Sequence, residues 1–320
     1  MTNVAGSRAP VWIPMALCVA IGVMTAVQSR MNGELSIRLD NGIEAAVWSF
    51  LSGLAILVVI LFVSRRARLG VLGVPAAIRR GDLRWWQILG GVLGGFFVAV
   101  QATVVPLIGV AVFTIAVVAG QSTNSLVVDR IGLGPAGKQP ITWQRLVGAV
   151  LAVLAVTLGV SQRLTSGSIP LLPVVFAVLG GALIAIQGAT NGRVSFVTGQ
   201  PLSAAFLNFM FGSIVLGSAL GVAWGLFGKE VHGPFIAPWW AYFGGVIGLV
   251  FIVVAAWSVP IIGVLMFALL TISGQLVGSM ALDIALPTPG SEVTPSLVAG
   301  VLLAFVAIGI TASNRSARVE

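Results

Sequence analysis

The sequence predicts an all-α integral membrane protein of ten transmembrane helices, arranged as two five-helix repeats of opposite orientation. Three observations carry that reading. First, 58% of the 320 residues are hydrophobic and only 8% are charged, against about a quarter charged in an ordinary soluble domain. A chain of this composition cannot build a water-facing surface. Second, its uncharged runs repeatedly reach the roughly 20 residues that a helix needs to cross the hydrocarbon core. Third, two long segments recur later in the chain with several of their amides, Pro106 and many of their glycines kept.

The spans are expected at about 11–31, 43–63, 86–105, 109–128, 142–161, 170–190, 202–226, 239–257, 262–281 and 294–313. The first is read as a retained helix, because the apolar run from Ala9 to Ser29 exceeds a signal-peptide core. Two uncharged runs are of double length and must fold back. Val105-Pro106-Leu107-Ile108-Gly109 supplies a break in one, and Val259-Pro260-Ile261-Ile262-Gly263 in the other, since proline stops a helix and glycine accepts turn geometry.

Self-alignment divides the chain into repeats at 1–163 and 164–320. Residues 27–53 match 186–212 without a gap, pairing Gln28 with Gln187, Asn32 with Asn191, Phe50 with Phe209 and Gly53 with Gly212. Residues 85–129 match 239–283 with 19 identities in 45 positions, among them Gly91/Gly245, Pro106/Pro260, Gln121/Gln275 and Asp129/Asp283. Five is odd, so the second copy enters the membrane upside down. Inverted repeats of this kind are a feature of secondary transporters.

Charge placement tests the orientation, because Lys and Arg concentrate in short cytoplasmic loops. With both termini on one side, that side carries thirteen: Arg8, six arginines between Arg65 and Arg84, Arg130, Lys138, Arg145, Arg193, Arg315 and Arg318. The other side carries four: Arg30, Arg38, Arg163 and Lys229. Both termini are therefore expected in the cytoplasm. The same distribution removes the nucleic-acid reading of the net charge of +8, since the basic residues punctuate apolar blocks instead of forming one face. A single cysteine, Cys18, excludes an internal disulfide or a thiolate cluster. One histidine, His232, without grouped acids or nucleophiles argues against an enzyme. No cofactor and no metal is expected.

Polar side chains within the bilayer are costly and face the bundle interior, where they line a pathway or bond a neighbouring helix. Gln121 and Gln275, near the middle of spans four and nine, occupy equivalent positions; Asn124 shares a face with the first and Thr271 with the second. Together with Gln28, Gln187, Asn208 and Trp48 they are the candidate substrate-lining set. Interhelical bonding and core packing are the competing readings, and Trp257 shares those of Trp48. Asn32 and Asn191, each before a glycine at a predicted helix end, read as caps or as a gate. Asp129 and Asp283 end spans four and nine, and are either hydrated or a coupling-ion site, Arg130 being positioned to neutralise the first. Arg30 and Glu34 are expected to be solvated or to guard a cavity mouth. Gly90, Gly91, Gly94 and Gly95, with Gly244 and Gly248 and the stripe Gly217, Gly221 and Gly225, read as close helix packing. Tryptophans 12, 85, 86, 143, 239 and 240 read as an interfacial belt.

Gln28-Ser29-Arg30-Met31-Asn32-Gly33 and Ala119-Gly120-Gln121-Ser122, set in two halves with a Gly-Gly third helix and a Pro-x-x-Gly turn, resemble the YdcZ-type inner-membrane exporters of the drug/metabolite transporter superfamily. The resemblance spans nearly the whole chain. It implies a bacterial inner-membrane carrier whose first four helices in each half surround a cavity, with helices five and ten peripheral. Unlike the related small multidrug carriers, residues 11–29 hold no acid. The expectation is a secondary transporter, an exporter of a small neutral, zwitterionic or amphipathic molecule working by alternating access; the alternative is a channel or lipid-handling scaffold. Expected partners are the lipid bilayer, a small-molecule substrate and a coupling ion or proton.

Overall fold

The computed structural model describes residues 12–313 except 168, 169, 229, 235, 289 and 290. Among the described residues there is helix and no strand. The helices are α1 (Trp12–Leu39), α2 (Gly42–Val63), α3 (Arg65–Leu72), α4 (Val74–Arg79), α5 (Gly90–Ile108), α6 (Val110–Ile131), α7 (Trp143–Thr165), α8 (Leu171–Thr198), α9 (Pro201–Phe227), α10 (Gly244–Ala285) and α11 (Pro295–Ser313). Single 3₁₀ segments, Trp85–Leu89 and Trp239–Phe243, lead into α5 and α10. Among the described residues eight helices are long and apolar enough to cross a membrane, and two shorter apolar helices cover Trp239–Ala255 and Pro295–Ile310.

Local chemistry sets the starts and stops. The Asn41 side chain accepts the Glu44 amide to begin α2, and the Ser64 hydroxyl accepts the Ala67 amide to begin α3, each satisfying an N–H that has no partner inside its helix. The break after Pro106 falls at Gly109, not at the proline, which lies within the last turn of α5. Gly109 has φ +83°, a conformation that costs a residue with a Cβ.

The second predicted break has a different form. Helix is continuous from Gly244 to Ala285, through Pro260, yet this helix doubles back. The rings of Phe251 and Phe267 are 5.5 Å apart, whereas sixteen residues of straight helix would separate them by about 24 Å. Its first part runs antiparallel to α1, with Gly244 at Asn32 and Gly248 at Gln28; its second part runs parallel, with Gly274 at Val19 and Gly278 at Val23. Two expectations about the first helices are corrected. Helix α1 continues eight residues past the expected end at 31, and α8 eight past 190, so Asn32 and Asn191 lie inside helices and cap neither.

Contacts recur at the spacing of the sequence repeat. Gly22 packs on the Thr271 carbonyl as Gly181 packs on that of Val117; Gly245 meets the Ser49 carbonyl as Gly91 meets that of Asn208; Gly274 meets Val19 as Gly120 meets Val178. Helix α1 therefore lies against both parts of α10, and α8 against α5 and α6. Phe50 and Phe209 close the pattern: their rings are 5.2 Å apart, and each fills the space left by the glycine equivalent to its neighbour's, Phe50 at Gly212 and Phe209 at Gly53. Helices α7 and α11 pack on one another beside α6. The predicted belt tryptophans 12, 85, 143, 239 and 240 are exposed at helix ends, while Gly217, Gly221 and Gly225 have open space where a Cβ would stand and do not mediate packing among the described residues.

Candidate functional site

Two polar clusters occupy equivalent places in the repeats, one near each end of the bundle. In the second repeat, the Gln187 side-chain amide donates to Asn208 Oδ1 at 2.5 Å, and the Asn191 amide donates to the same oxygen at 3.3 Å. An amide oxygen has two lone pairs, so Asn208 Oδ1 is filled. Gln187 Oε1, Asn191 Oδ1 and the Asn208 NH₂ keep capacity for another molecule. The wall opposite is backbone: Gly90 abuts Asn191 and Gly94 abuts Gln187. Asn191 and Gln187 are half-buried and Gly188 is exposed. Two residues past Asn191, Arg193 lines a separate cleft of about 560 Å³ together with Arg84, Trp86, Gln87 and Pro135.

The equivalent cluster in the first repeat is closed. Ser29 donates to the Thr25 carbonyl at 3.1 Å and accepts from Gln101 Nε2 at 2.7 Å; Gln101 Oε1 accepts from Asn32 Nδ2 at 2.7 Å. Because the serine hydrogen is committed to Thr25, the direction of every bond in the relay is fixed. Ser29, Asn32 and Gln101 are at most 1% exposed. Asn32 Oδ1 is left without a partner against Gly244, beside the equally unpartnered Ser49 hydroxyl. Gln101 was not among the sequence candidates. Its signal was an amide in an apolar run, the same signal that singled out Gln121, but its repeat counterpart is Ala255, so symmetry did not point to it.

The remaining candidates separate. Gln121 and Gln275 are half-buried on α6 and α10, and the backbones beside them press on α8 and α1 respectively. Gln28 is half-buried, with its amide facing Gly248. Asn124 donates to the Ala182 carbonyl of α8 at 2.6 Å, an interhelical bond. Thr271 is buried and bonds its own helix at the Phe267 and Ala268 carbonyls. Trp48 packs edge-on against Tyr242 at 5.6 Å, and Trp257 is 42% exposed and so lies outside the core.

The two helix-end acids are engaged. Asp129 pairs with Arg145 of α7; Arg145, and not its sequence neighbour Arg130, is its partner. Asp283, 2% exposed, crosses to α6 and accepts the Val110 and Ala111 amides at 3.0 and 2.7 Å. It thus sits at a helix N-terminus, where the dipole favours an anion. Arg163, read from sequence as a loop charge, is also 2% exposed and donates to the Ile108 carbonyl at the C-terminus of α5. The two charges hold either side of the Gly109 turn. Glu34 pairs with Arg38 at 2.9 Å, and Arg30 is half-buried. Glu44 went unnoticed in the sequence: it is 1% exposed, accepts the His232 amide at 2.8 Å, and faces His232 Nδ1 at 3.5 Å. It ties the loop before α10 to the start of α2.

The family model described as "Putative inner membrane exporter, YdcZ" matches residues 13–158 and 172–310. The chain belongs to that family. It is therefore a multi-pass inner-membrane protein of the drug/metabolite transporter type, as the resemblance implied. The two matched segments are separated by residues 159–171, which cover the end of α7 and the start of α8. No functionally curated protein matches this chain.

Proposed function

We propose that this protein is a secondary exporter of a small neutral, zwitterionic or amphipathic molecule, built from ten spans in two inverted five-helix repeats with both termini cytoplasmic. The observation that carries the reading is the unequal state of equivalent sites. Asn32 is sealed while Asn191 is only half-buried. Two copies of one unit in opposite orientation, caught in different degrees of closure, are what a carrier in one of its two access states presents. A channel would hold both ends in one continuous polar path.

The moving bodies are not the two sequence halves. Helix α1 packs chiefly on α10, and α8 chiefly on α5 and α6, so a body built on α1 and α10 rocks against one built on α5, α6 and α8, with α2 and α9 packed on each other across the seam. Between them lie the Phe50–Phe209 contact, the Asn32–Gln101 bond and the Asp283 bonds to α6. Those polar contacts lock one end of the seam and must break when it opens.

The polar clusters contain amides and hydroxyls, and a full charge at the bilayer centre costs at least about 2.5 kcal/mol unless paired. The substrate is accordingly one that amides can hold. In proteoliposomes the carrier should build a solute gradient that collapses with the ion gradient, and purely downhill passage of unrelated solutes would point to the channel. Replacing both Gln121 and Gln275 by leucine should leave insertion intact and weaken a polar substrate by about 1 to 2 kcal/mol per lost contact. Unchanged transport would remove those two residues from the site.

A further inference from the structure

The segment between α2 and α5 gives no side chain to the amide hydrogen bonds, although its end lines the neighbouring cleft, and it is the most charged part of the chain. It carries Arg65, Arg66, Arg68, Arg79, Arg80 and Arg84, all exposed, against a single acid, Asp82. Its apolar side is docked. Val74, Ala77 and Leu83 are buried with Val194, Ala204 and Leu207 of α8 and α9, and Gly70 lies against Gln200 and Ser203. These contacts are with the last turns of α8 and the first turns of α9, and the segment itself joins the end of α2 to the 3₁₀ turn before α5. Four span termini thus fix it at one level, the boundary of the hydrocarbon.

Within this frame α3 is an unusual helix for water. Arg65 and Arg66 occupy its first turn, which holds no acid, although the dipole there disfavours cations. Leu69 and Leu72 are 56% and 66% exposed beside them, and Trp85 at the far end of the segment is 67% exposed. Arginines flanking two exposed leucines, an exposed tryptophan at the far end of the segment and a fixed position at the span ends together describe a surface helix in the plane of a membrane interface. The equivalent loop of the second repeat, before Trp239, carries Glu230 and His232 and is tied to Asn41 and Glu44. Among the described residues, that loop carries no arginine.

We propose that α3 and α4 form a binding surface for anionic phospholipid headgroups, with Arg65, Arg66 and Arg79 contacting the phosphates and Leu69 and Leu72 entering the acyl boundary. Arg68 is partly occupied at home, donating to the Leu61 and Phe62 carbonyls at the end of α2, and Arg80 is paired with Asp82. The surface is independent of the transport reading and stands or falls separately from it.

The test is lipid competition on the purified full chain in nanodiscs, using fluorescent phosphatidylglycerol against phosphatidylcholine. Wild type should select phosphatidylglycerol, and Arg65→Gln, Arg66→Gln and Arg79→Gln together should cut that selectivity at least tenfold, as each basic residue near an anionic surface contributes roughly fivefold. Arg68, Arg80 and Arg84 are kept so that the topology signal survives, and an unchanged melting midpoint in phosphatidylcholine confirms folding. The triple Lys variant should retain most of the selectivity. No preference in wild type, full preference in the Gln variant, or a Lys variant as weak as the Gln variant would each overturn the proposal. So would equal competition by a short soluble RNA, which would mark a general polyanion surface.

Discussion

Gln101 illustrates how one amide decides the order of its neighbours. It accepts from Asn32 and donates to Ser29, both at 2.7 Å, in a place that is 1% exposed. Interhelical hydrogen bonds in membranes average only about 0.6 kcal/mol, because the separated helices find other partners. Leaving a buried donor unmatched costs more, roughly 1 to 3 kcal/mol. Gln101→Leu does the second, since it strands Asn32 Nδ2. The variant should therefore lose about 1 to 3 kcal/mol in a denaturant titration in detergent micelles, and also shift the seam between α1 and α5 toward opening. A stability equal to wild type would mean that the relay is not formed.

At the scale of helices, close approach is decided by a few glycines that sequence spacing alone does not rank. A Cβ on Gly91 would stand 2.1 Å from the Asn208 carbonyl oxygen, and one on Gly245 would stand 1.9 Å from that of Ser49. Those obstacles are backbone, so the helices themselves must part. Gly217 has nothing within 4 Å. Gly91→Ala should depress the folded yield and the melting midpoint sharply, whereas Gly217→Ala should leave both unchanged or raise them slightly, since alanine gains up to about 1 kcal/mol in helix propensity. Equal behaviour of the two variants would show that α5 and α9 do not pack through Gly91.

For the whole molecule, orientation rests on charge, and the interlocking of the halves rests on contacts. Reporter fusions after Arg80 and Lys138 should score as cytoplasmic and one after Lys229 as external, because the six-arginine segment outweighs every loop on the other side. A cytoplasmic signal after Lys229 would contradict the inverted arrangement. The interlocking has its own consequence. Since α1 packs chiefly on α10, and α8 on α5 and α6, the main buried core joins residues from the N-terminal and C-terminal parts of the chain.

The sequence by itself determined the membrane class, the helix boundaries to within a turn or two at most ends, and the family, because these depend on composition, hydrophobic length and short motifs, which are properties of local stretches. It also marked Gln187, Asn191 and Asn208, since an amide in an apolar run is costly wherever the run folds. It did not assign their partners. That Asp283 serves α6, that Arg163 reaches the end of α5, that Glu44 holds the His232 loop, and that Gln101 joins Ser29 to Asn32 are all relations between residues 50 to 190 positions apart. Charged residues near span ends look alike in sequence whether water or a helix terminus receives them. Only the packing of α1 on α10 and of α8 on α5 and α6 chooses, because it decides which carbonyls and amides are left open for those side chains to meet.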